Sequence, residues 1–338
     1  MLRAAVIGLG IGEQHILGYE ADPRCKVTTL CDIDVIKLTQ VASRYPNRHI
    51  TQHPSDVFAD SDIDVVSIAS YEDSHCDQVI AAIDSGKHVF VEKPLCLTGR
   101  ELEQIVCSLR RNPKIRLSSN LILRKSPRFL QLREKISAGS FGELYYMEGD
   151  YDYGRLHKLK DGWRGRIPHY SVVHGGGIHL IDLLCWLYAD KVEEVFAYGN
   201  KFFTSDNIFR SSDFVVAILK FRRGALAKVT ANFGSVTPHF HRLAVYGTLA
   251  TFQQSHSGAN YFFSRGSQGL PIAISDDYPG TEKGDILPSF VRAILDGTPQ
   301  DVTAEEVINA MSISIAIEKS VSTGRIEHVD YLGLERQS

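Results

Sequence analysis

The chain has no apolar run near the roughly 20 residues that a membrane-spanning helix needs, so nothing in it reads as a membrane anchor. It also lacks an excess of one charge: 37 Lys and Arg stand against 40 Asp and Glu, a net −3 at pH 7. General nucleic-acid binding needs a basic surface to meet the phosphates, and this balance argues against it. The six cysteines are Cys25, Cys31, Cys76, Cys96, Cys107 and Cys185, and none forms a CxxC pair. They read as buried free thiols of a reducing cytoplasm rather than as disulfides or metal ligands, so no metal site is expected. There is no internal repeat and no low-complexity tract. The chain opens on a strand pattern without the leader of a signal peptide, which again sets the expectation of a cytoplasmic protein.

What is present is 338 residues, 43% of them hydrophobic, enough for two domains with sizeable cores. The first third alternates short apolar strands with helical patterns. The strands are Leu2–Ile7, Lys26–Cys31, Asp64–Ala69, Lys87–Val91 and Lys114–Ser119. The helices between them are Glu13–Glu20, Val35–Arg44, Asp73–Ser85 and Gly99–Arg110. Such alternation predicts an α/β domain over residues 1–120, a doubly wound parallel sheet covered on both faces.

Beyond that point the pattern changes. After helix Pro127–Ala138, strand Gly142–Tyr151 and helix Gly176–Tyr188, strands follow one another at 192–203, 213–221, 225–233, 242–246 and 250–252. Arg222-Arg223-Gly224 and Gly247-Thr248 are turn signals between neighbours. This predicts an α+β domain over 121–338 with a largely antiparallel open sheet and helices on one face. Ser255 to Gly280 reads as a long loop, and Thr303-Ala304-Glu305-Glu306 has the spacing of a capping box that opens the last helix.

Gly8-Leu9-Gly10-Ile11-Gly12 lies where the first strand meets the first helix. Glycines there let backbone approach a pyrophosphate, which the helix N-terminus then stabilises. The third glycine comes one residue early for GxGxxG, whose strict third position is Glu13, so the loop reads as shortened by one residue. Asp32 ends the second strand, where an acid would hydrogen-bond ribose hydroxyls and repel a 2′-phosphate. NAD is therefore expected in preference to NADP. Asp32 also has the position of a helix N-cap, a role Asp34 is equally placed to fill.

Two further stretches point to hydride transfer. Glu92-Lys93-Pro94 follows the apolar run Val89-Phe90-Val91, and Gly175-Gly176-Gly177-Ile178-His179-Leu180-Ile181-Asp182 opens a helix of the second domain. Alcohol oxidation needs a proton acceptor and a positive charge for the developing alkoxide. A neutral imidazole suits the first role, an ammonium the second.

These residues, with Val66-Ser67-Ile68-Ala69-Ser70, His75, the segment AIDSGKHVFVEKP from Ala82 to Pro94 and Trp163-Arg164, resemble the Gfo/Idh/MocA (glucose–fructose oxidoreductase / inositol dehydrogenase) family over nearly the whole chain. The resemblance implies a Rossmann domain for NAD and an oxidoreductase acting on CH–OH groups. Lys93 and His179 are its catalytic pair. Gly8, Gly10, Ile11, Gly12, Asp32, Ser70, His75, Glu92, Lys93, Trp163 and Arg164 are its cofactor contacts. Lys93, His179 and Asp182 are its substrate contacts; Arg124, just after the fifth strand, and His174, the polar neighbour of Gly175, are expected to join them from their places in the sequence. It also implies a homodimer or homotetramer built through the second domain's sheet. The chain departs from the family at Gly175, where many members carry an aspartate four residues before the histidine. It departs again at Ala69-Ser70-Tyr71-Glu72, where the family typically has A-T-P-N.

The substrate is expected to be a small carbohydrate: a sugar, sugar acid, nucleotide-sugar or cyclic polyol. Gly154 to His174 holds Arg155, Lys158, Lys160, Arg164 and Arg166 against the single acid Asp161. Such a cluster suits an anionic group and favours an acidic sugar or nucleotide-sugar over a neutral polyol. A solvated loop or a subunit contact is the other reading. Two alternative functions follow from the resemblance: a glycoside hydrolase with NAD as a non-consumed cofactor, and a dinucleotide-binding sensor without turnover.

Overall fold

The computed structural model describes residues 1–266 and 269–334. The chain divides into two compact units. The first holds Met1–Ile122, Glu282–Asn309 and the described residues from 332 to 334; the second holds Leu123–Thr281 and Ala310–Tyr331.

In the first unit the elements run β1 (Leu2–Ile7), α1 (Glu13–Glu20), β2 (Cys25–Cys31), α2 (Val35–Arg44), β3 (His49–Thr51), α3 (Pro54–Ala59), β4 (Val65–Ile68), α4 (His75–Asp84), β5 (His88–Val91), α5 (Gly99–Arg111) and β6 (Leu117–Ser119). The strands pair in parallel in the order β3-β2-β1-β4-β5-β6. The order reverses between β2-β1 and β4, the switch point at which doubly wound sheets bind ligands. Val65, Val66, Ile68, Val89, Phe90 and Val91 are all buried, because helices cover both faces of the sheet. Helix α5 shows how sequence makes a helix here. Thr98 accepts from Glu101 N at 3.2 Å while the Glu101 carboxylate accepts from Thr98 N at 3.1 Å, and Leu102, Ile105, Val106 and Leu109 form the buried stripe.

The second unit holds α6 (Pro127–Ser137), β7 (Leu144–Asp152), the short α7 (His157–Lys160), α8 (Ile178–Tyr188), β8 (Val192–Asn200), β9 (Phe214–Phe221), β10 (Leu226–Asn232), β11 (Phe240–Gly247), β12 (Thr251–Ser255), β13 (Gly258–Phe262) and β14 (Ile272–Ile274). The chain then forms α9 (Leu287–Asp296), which belongs to the first unit, α10 (Ala304–Thr323) and β15 (Glu327–His328). The sheet of the second unit runs β14-β13-β12-β11-β7-β10-β9-β8-β15, antiparallel except for β7 beside β10. The segment read as a long loop from Ser255 to Gly280 instead carries β13 and β14. Gly258, at φ +130°, closes the tight turn out of β12, and β14 is too short and exposed to show a buried alternation. The capping box at Thr303 is present: Glu306 accepts from Thr303 N at 2.8 Å, and Thr303 Oγ1 accepts from Glu306 N at 3.3 Å.

In the first unit, Phe90 of β5 meets Phe290 of α9 with ring centroids 5.9 Å apart, both fully buried. Burying a phenylalanine contributes about 1.5–3 kcal/mol, so α9 is held as a core element of the first sheet. All six cysteines are free, and burial pushes the thiols of Cys25 and Cys31 up to about 12, which leaves them inert. Among the described residues no helix is long and apolar enough to cross a membrane.

Candidate active site

The glycine turn after β1 divides its labour residue by residue. Gly8 takes φ +83°, and the next amide, Leu9 N, donates to Asp32 Oδ2 at 2.7 Å. Asp32 Oδ1 accepts from Asp34 N at 2.9 Å, so the carboxylate is pinned at the end of β2 beside the turn. Asp34, not Asp32, caps α2, accepting from Ile36 N and Lys37 N. A Cβ on Gly12 would stand 2.2 Å from Gly8 O and 2.7 Å from Val6 Cγ1, so only glycine lets α1 begin this close to β1. A Cβ on Gly10 would meet nothing within 4 Å. Gly10 and Ile11 are exposed, which leaves room for a ligand to lie against the backbone. Glu13, at the position of the usual third glycine, turns onto α2, with Arg44 Nη2 at 2.6 Å and Lys37 Nζ at 3.4 Å. Its charge is thus neutralised next to the helix N-terminus where a pyrophosphate would sit. Ile33 and Ile36, each 66% exposed, add apolar surface next to Asp32 that fits an adenine face. Taken together, these residues fit a dinucleotide. The isoleucines escape a motif search because a base asks only for flat apolar surface.

The Lys93 turn rests on a buried polar network. Glu92 Oε1 accepts from Asn120 Nδ2 at 2.7 Å and lies 3.4 Å from His15 Nε2, while His15 Nδ1 lies 2.7 Å from Ser67 Oγ. Burial alone would push the Glu92 carboxyl up. The contact with His15 and the positive charges of Lys283 and Lys93 outweigh it and hold the group well below the usual carboxylate range. Glu92 is therefore a fixed negative charge beside Lys93. His75 is buried, with Nδ1 2.6 Å from Pro94 O and Nε2 3.2 Å from Ser70 O. The ring thus bridges the turns that leave β4 and β5 and braces the loop that carries Lys93. The Ser70 hydroxyl donates to Gln78 Oε1 at 2.8 Å.

In the second unit a π-type turn, Val173–Gly177, leads into α8 and places His179 in its first turn, 5% exposed. The Tyr151 ring stacks on His179 (centroids 6.3 Å apart, planes at 22°), and His241 meets it edge-on at 6.2 Å. Tyr153 stacks on Tyr151 at 5.4 Å, His239 lies 5.1 Å from both tyrosines, and His241 Nδ1 is 2.6 Å from Tyr278 Oη. Burial raises the Tyr151 hydroxyl well above its usual pKa, so it stays protonated. This wall of rings is absent from the motif reading. Its signal is the two-residue spacing of Tyr151, in β7, and Tyr153, just past its end, and of His239 and His241 beside them. The cross-strand register pairs His241 with Tyr151 and turns that spacing into one continuous face.

Arg124 and Asp182 meet each other. Arg124 Nε donates to Asp182 Oδ2 at 2.8 Å and Nη2 to Oδ1 at 2.5 Å, with both side chains buried. The bidentate pair anchors α8 three residues past His179. His174 Nδ1 lies 2.6 Å from Ser314 Oγ and its amide donates to Ser171 Oγ at 3.1 Å, so this imidazole packs into the support of the turn. Arg164 stacks over Trp163 at 4.3 Å, while Arg155 and Lys158 lie over Tyr153 at 5.1 and 5.5 Å. Among the described residues no group of three or more His, Cys, Asp or Glu side chains is arranged to hold a metal ion.

Residues 2–120 match the oxidoreductase family with an NAD-binding Rossmann fold, and residues 129–253 match the C-terminal domain of the same Gfo/Idh/MocA group. The chain belongs to the Gfo/Idh/MocA oxidoreductase family. It is 24% identical to a myo-inositol 2-dehydrogenase of Thermotoga maritima, over 96% of this chain and 97% of that one. It is 27% identical to a scyllo-inositol 2-dehydrogenase (NAD(+)) of Bacillus subtilis, over 75% of each. Its fold matches that of a levoglucosan dehydrogenase in complex with NADH and levoglucosan, with a TM-score of 0.86 at 20% identity, covering 98% of this chain and 100% of that one. This Gfo/Idh/MocA protein therefore carries an NAD-binding Rossmann domain and is an oxidoreductase of the class that acts on CH–OH groups.

Proposed function

We propose that the protein is an NAD-dependent dehydrogenase of a secondary hydroxyl on a sugar, sugar acid or cyclic polyol. The observation that carries this reading is the His179 imidazole at the head of α8, set against the wall of Tyr151 and His241. When bound, NAD supplies the hydride acceptor. The oxidised carbon loses hydride, its hydroxyl loses a proton, and His179 takes that proton. Lys93, beside the ionised Glu92, brings positive charge to the developing alkoxide. The rings of Tyr151 and Tyr153 suit the apolar face of a sugar. Arg155 and Lys158, resting on Tyr153, suit a carboxylate carried away from the reacting carbon.

The test is nicotinamide absorbance with NAD and NADP against myo-inositol, levoglucosan, a uronate and a nucleotide-sugar, beside Lys93→Ala and His179→Ala. Turnover with NAD, reduced by about 100-fold or more in each variant, is expected. Full-rate turnover by either variant would remove that residue from the chemistry. Equal use of NADP would overturn the cofactor role of Asp32.

A further inference from the structure

Gly175 lies four residues before His179, and its side-chain space is already taken. A Cβ on Gly175 would stand 1.9 Å from Tyr170 Oη and 2.5 Å from Tyr170 Cζ. The phenol oxygen therefore sits where any side chain at 175 would begin. Residues four apart on a helix share a face, with Cβ atoms about 5–6 Å apart. Gly177 and Ile178 have helical dihedrals (φ −54°, ψ −30° and φ −55°, ψ −32°), so this relation carries across the junction between the π-type turn and α8. Tyr170 is 2% exposed, and its ring meets Phe209 with centroids 6.4 Å apart, so the hydroxyl is aimed by packing. The neighbouring Gly176 has its space filled in the same way, by the Tyr151 ring that stacks on His179.

We propose that the Tyr170 hydroxyl is a positioning residue for His179, presenting a neutral hydroxyl one helical turn before the imidazole. The proposal rests on reading His179 as the base. A neutral phenol either accepts an imidazole N–H or donates to a ring nitrogen, fixing tautomer and ring orientation without adding charge. A carboxylate in the same place would favour the imidazolium and raise the imidazole pKa. The tyrosine thus aims the imidazole while leaving it a weaker base.

The test is NMR titration of the ring nitrogens in full-length protein labelled with ¹⁵N-histidine, with the His179 signal identified by its loss in His179→Asn. Tyr170→Phe keeps the ring and removes only the hydroxyl, so thermal melting should be nearly unchanged. The His179 tautomer balance or pKa should move by about half a unit or more. The double variant Tyr170→Leu/Gly175→Asp should move the His179 pKa upward relative to Tyr170→Leu alone. An unchanged His179 titration in Tyr170→Phe overturns the proposal. So does a double variant whose His179 pKa does not rise. Turnover on the probe myo-inositol separates the two readings. A fully active His179→Asn enzyme overturns the base assignment and the positioning role with it. An inactive His179→Asn enzyme beside an unaltered Tyr170→Phe titration overturns the positioning role alone.

Discussion

The two glycine-rich turns look alike in sequence and do opposite things. At Gly8–Gly12 the middle glycine faces open space, and nothing lies within 4 Å of where its Cβ would stand. At Gly175 and Gly176 the same space is filled by Tyr170 and Tyr151 of the chain itself. One turn leaves room for a ligand to approach backbone; the other leaves room for aromatic side chains to approach a helix. Each stands near a buried carboxyl, and these too are opposites. Glu92 is held ionised by His15, Lys283 and Lys93. Glu318 of α10 is pushed up to about 7 by burial, against a lowering hydrogen bond from Ser171, the residue that also receives the His174 amide. Two environments have sorted two carboxylates into one that stays charged well into acid and one that keeps its proton up to near neutral pH.

The largest expected effect tests the packing half of the first turn. Gly12→Val drives a branched side chain into Gly8 O and Val6, backbone and core that have nowhere to go. A loss of about 4 kcal/mol or more, or failure to fold, is expected in denaturant unfolding. A normally stable Gly12→Val protein would dissolve the contrast between Gly12 and Gly10.

The next test sets the carboxyls against each other. Glu318 has a raised folded pKa, so its cost to the fold appears as pH rises above its usual value of 4.5 and is complete above about 7. Glu318→Gln should therefore stabilise the protein at about pH 8, by at most about 3 kcal/mol, and leave it unchanged in acid. Glu92 has a depressed folded pKa, so its contribution is present above the ordinary carboxylate range and is lost only as pH falls well below it. Glu92→Gln should cost about 1.5–3 kcal/mol at neutral pH, with the difference from the parent protein shrinking in acid. Melts across pH that move both variants in the same direction would erase the distinction.

The smallest effect is the sharpest. Gly10→Ala should leave unfolding within about 0.5 kcal/mol of the parent protein. It should weaken NAD binding about tenfold by calorimetry, because the added methyl enters only the ligand's space. A stability loss without an affinity loss would give Gly10 the role of Gly12.

The first unit was largely legible in the sequence because its signals are local. Gly8, Gly12 and Asp32 act within one strand–helix–strand unit, and five of the six parallel strands declare themselves in the sequence; β3, three residues long with two of them exposed, does not. The second unit was legible in outline only. In Ser255–Gly280, β13 alternates but buries only Ala259 and Tyr261, and β14 buries none of its three residues, so neither stood out from the polar, glycine-rich segment around it. Arg124 and Asp182 each read as a charge available to substrate, and their pairing across 58 residues of chain is a product of the fold. Tyr151, His239 and His241 became a wall only through strand register, which no single segment encodes. Tyr170 was invisible for the same reason: its place is defined by a glycine five residues away that it overlies.

The two tryptophans carry a practical consequence. Trp163 lies under Arg164, and Trp186 lies near Arg133 and Arg124, with centroid distances of 4.2 Å and 5.9 Å. Both belong to the second unit, so the first contains no indole. Indole emission is therefore a reporter of one half of the molecule. It will register unfolding of the second unit, while loosening confined to the sheet around Glu92 will pass unseen unless tyrosine emission or circular dichroism is followed alongside.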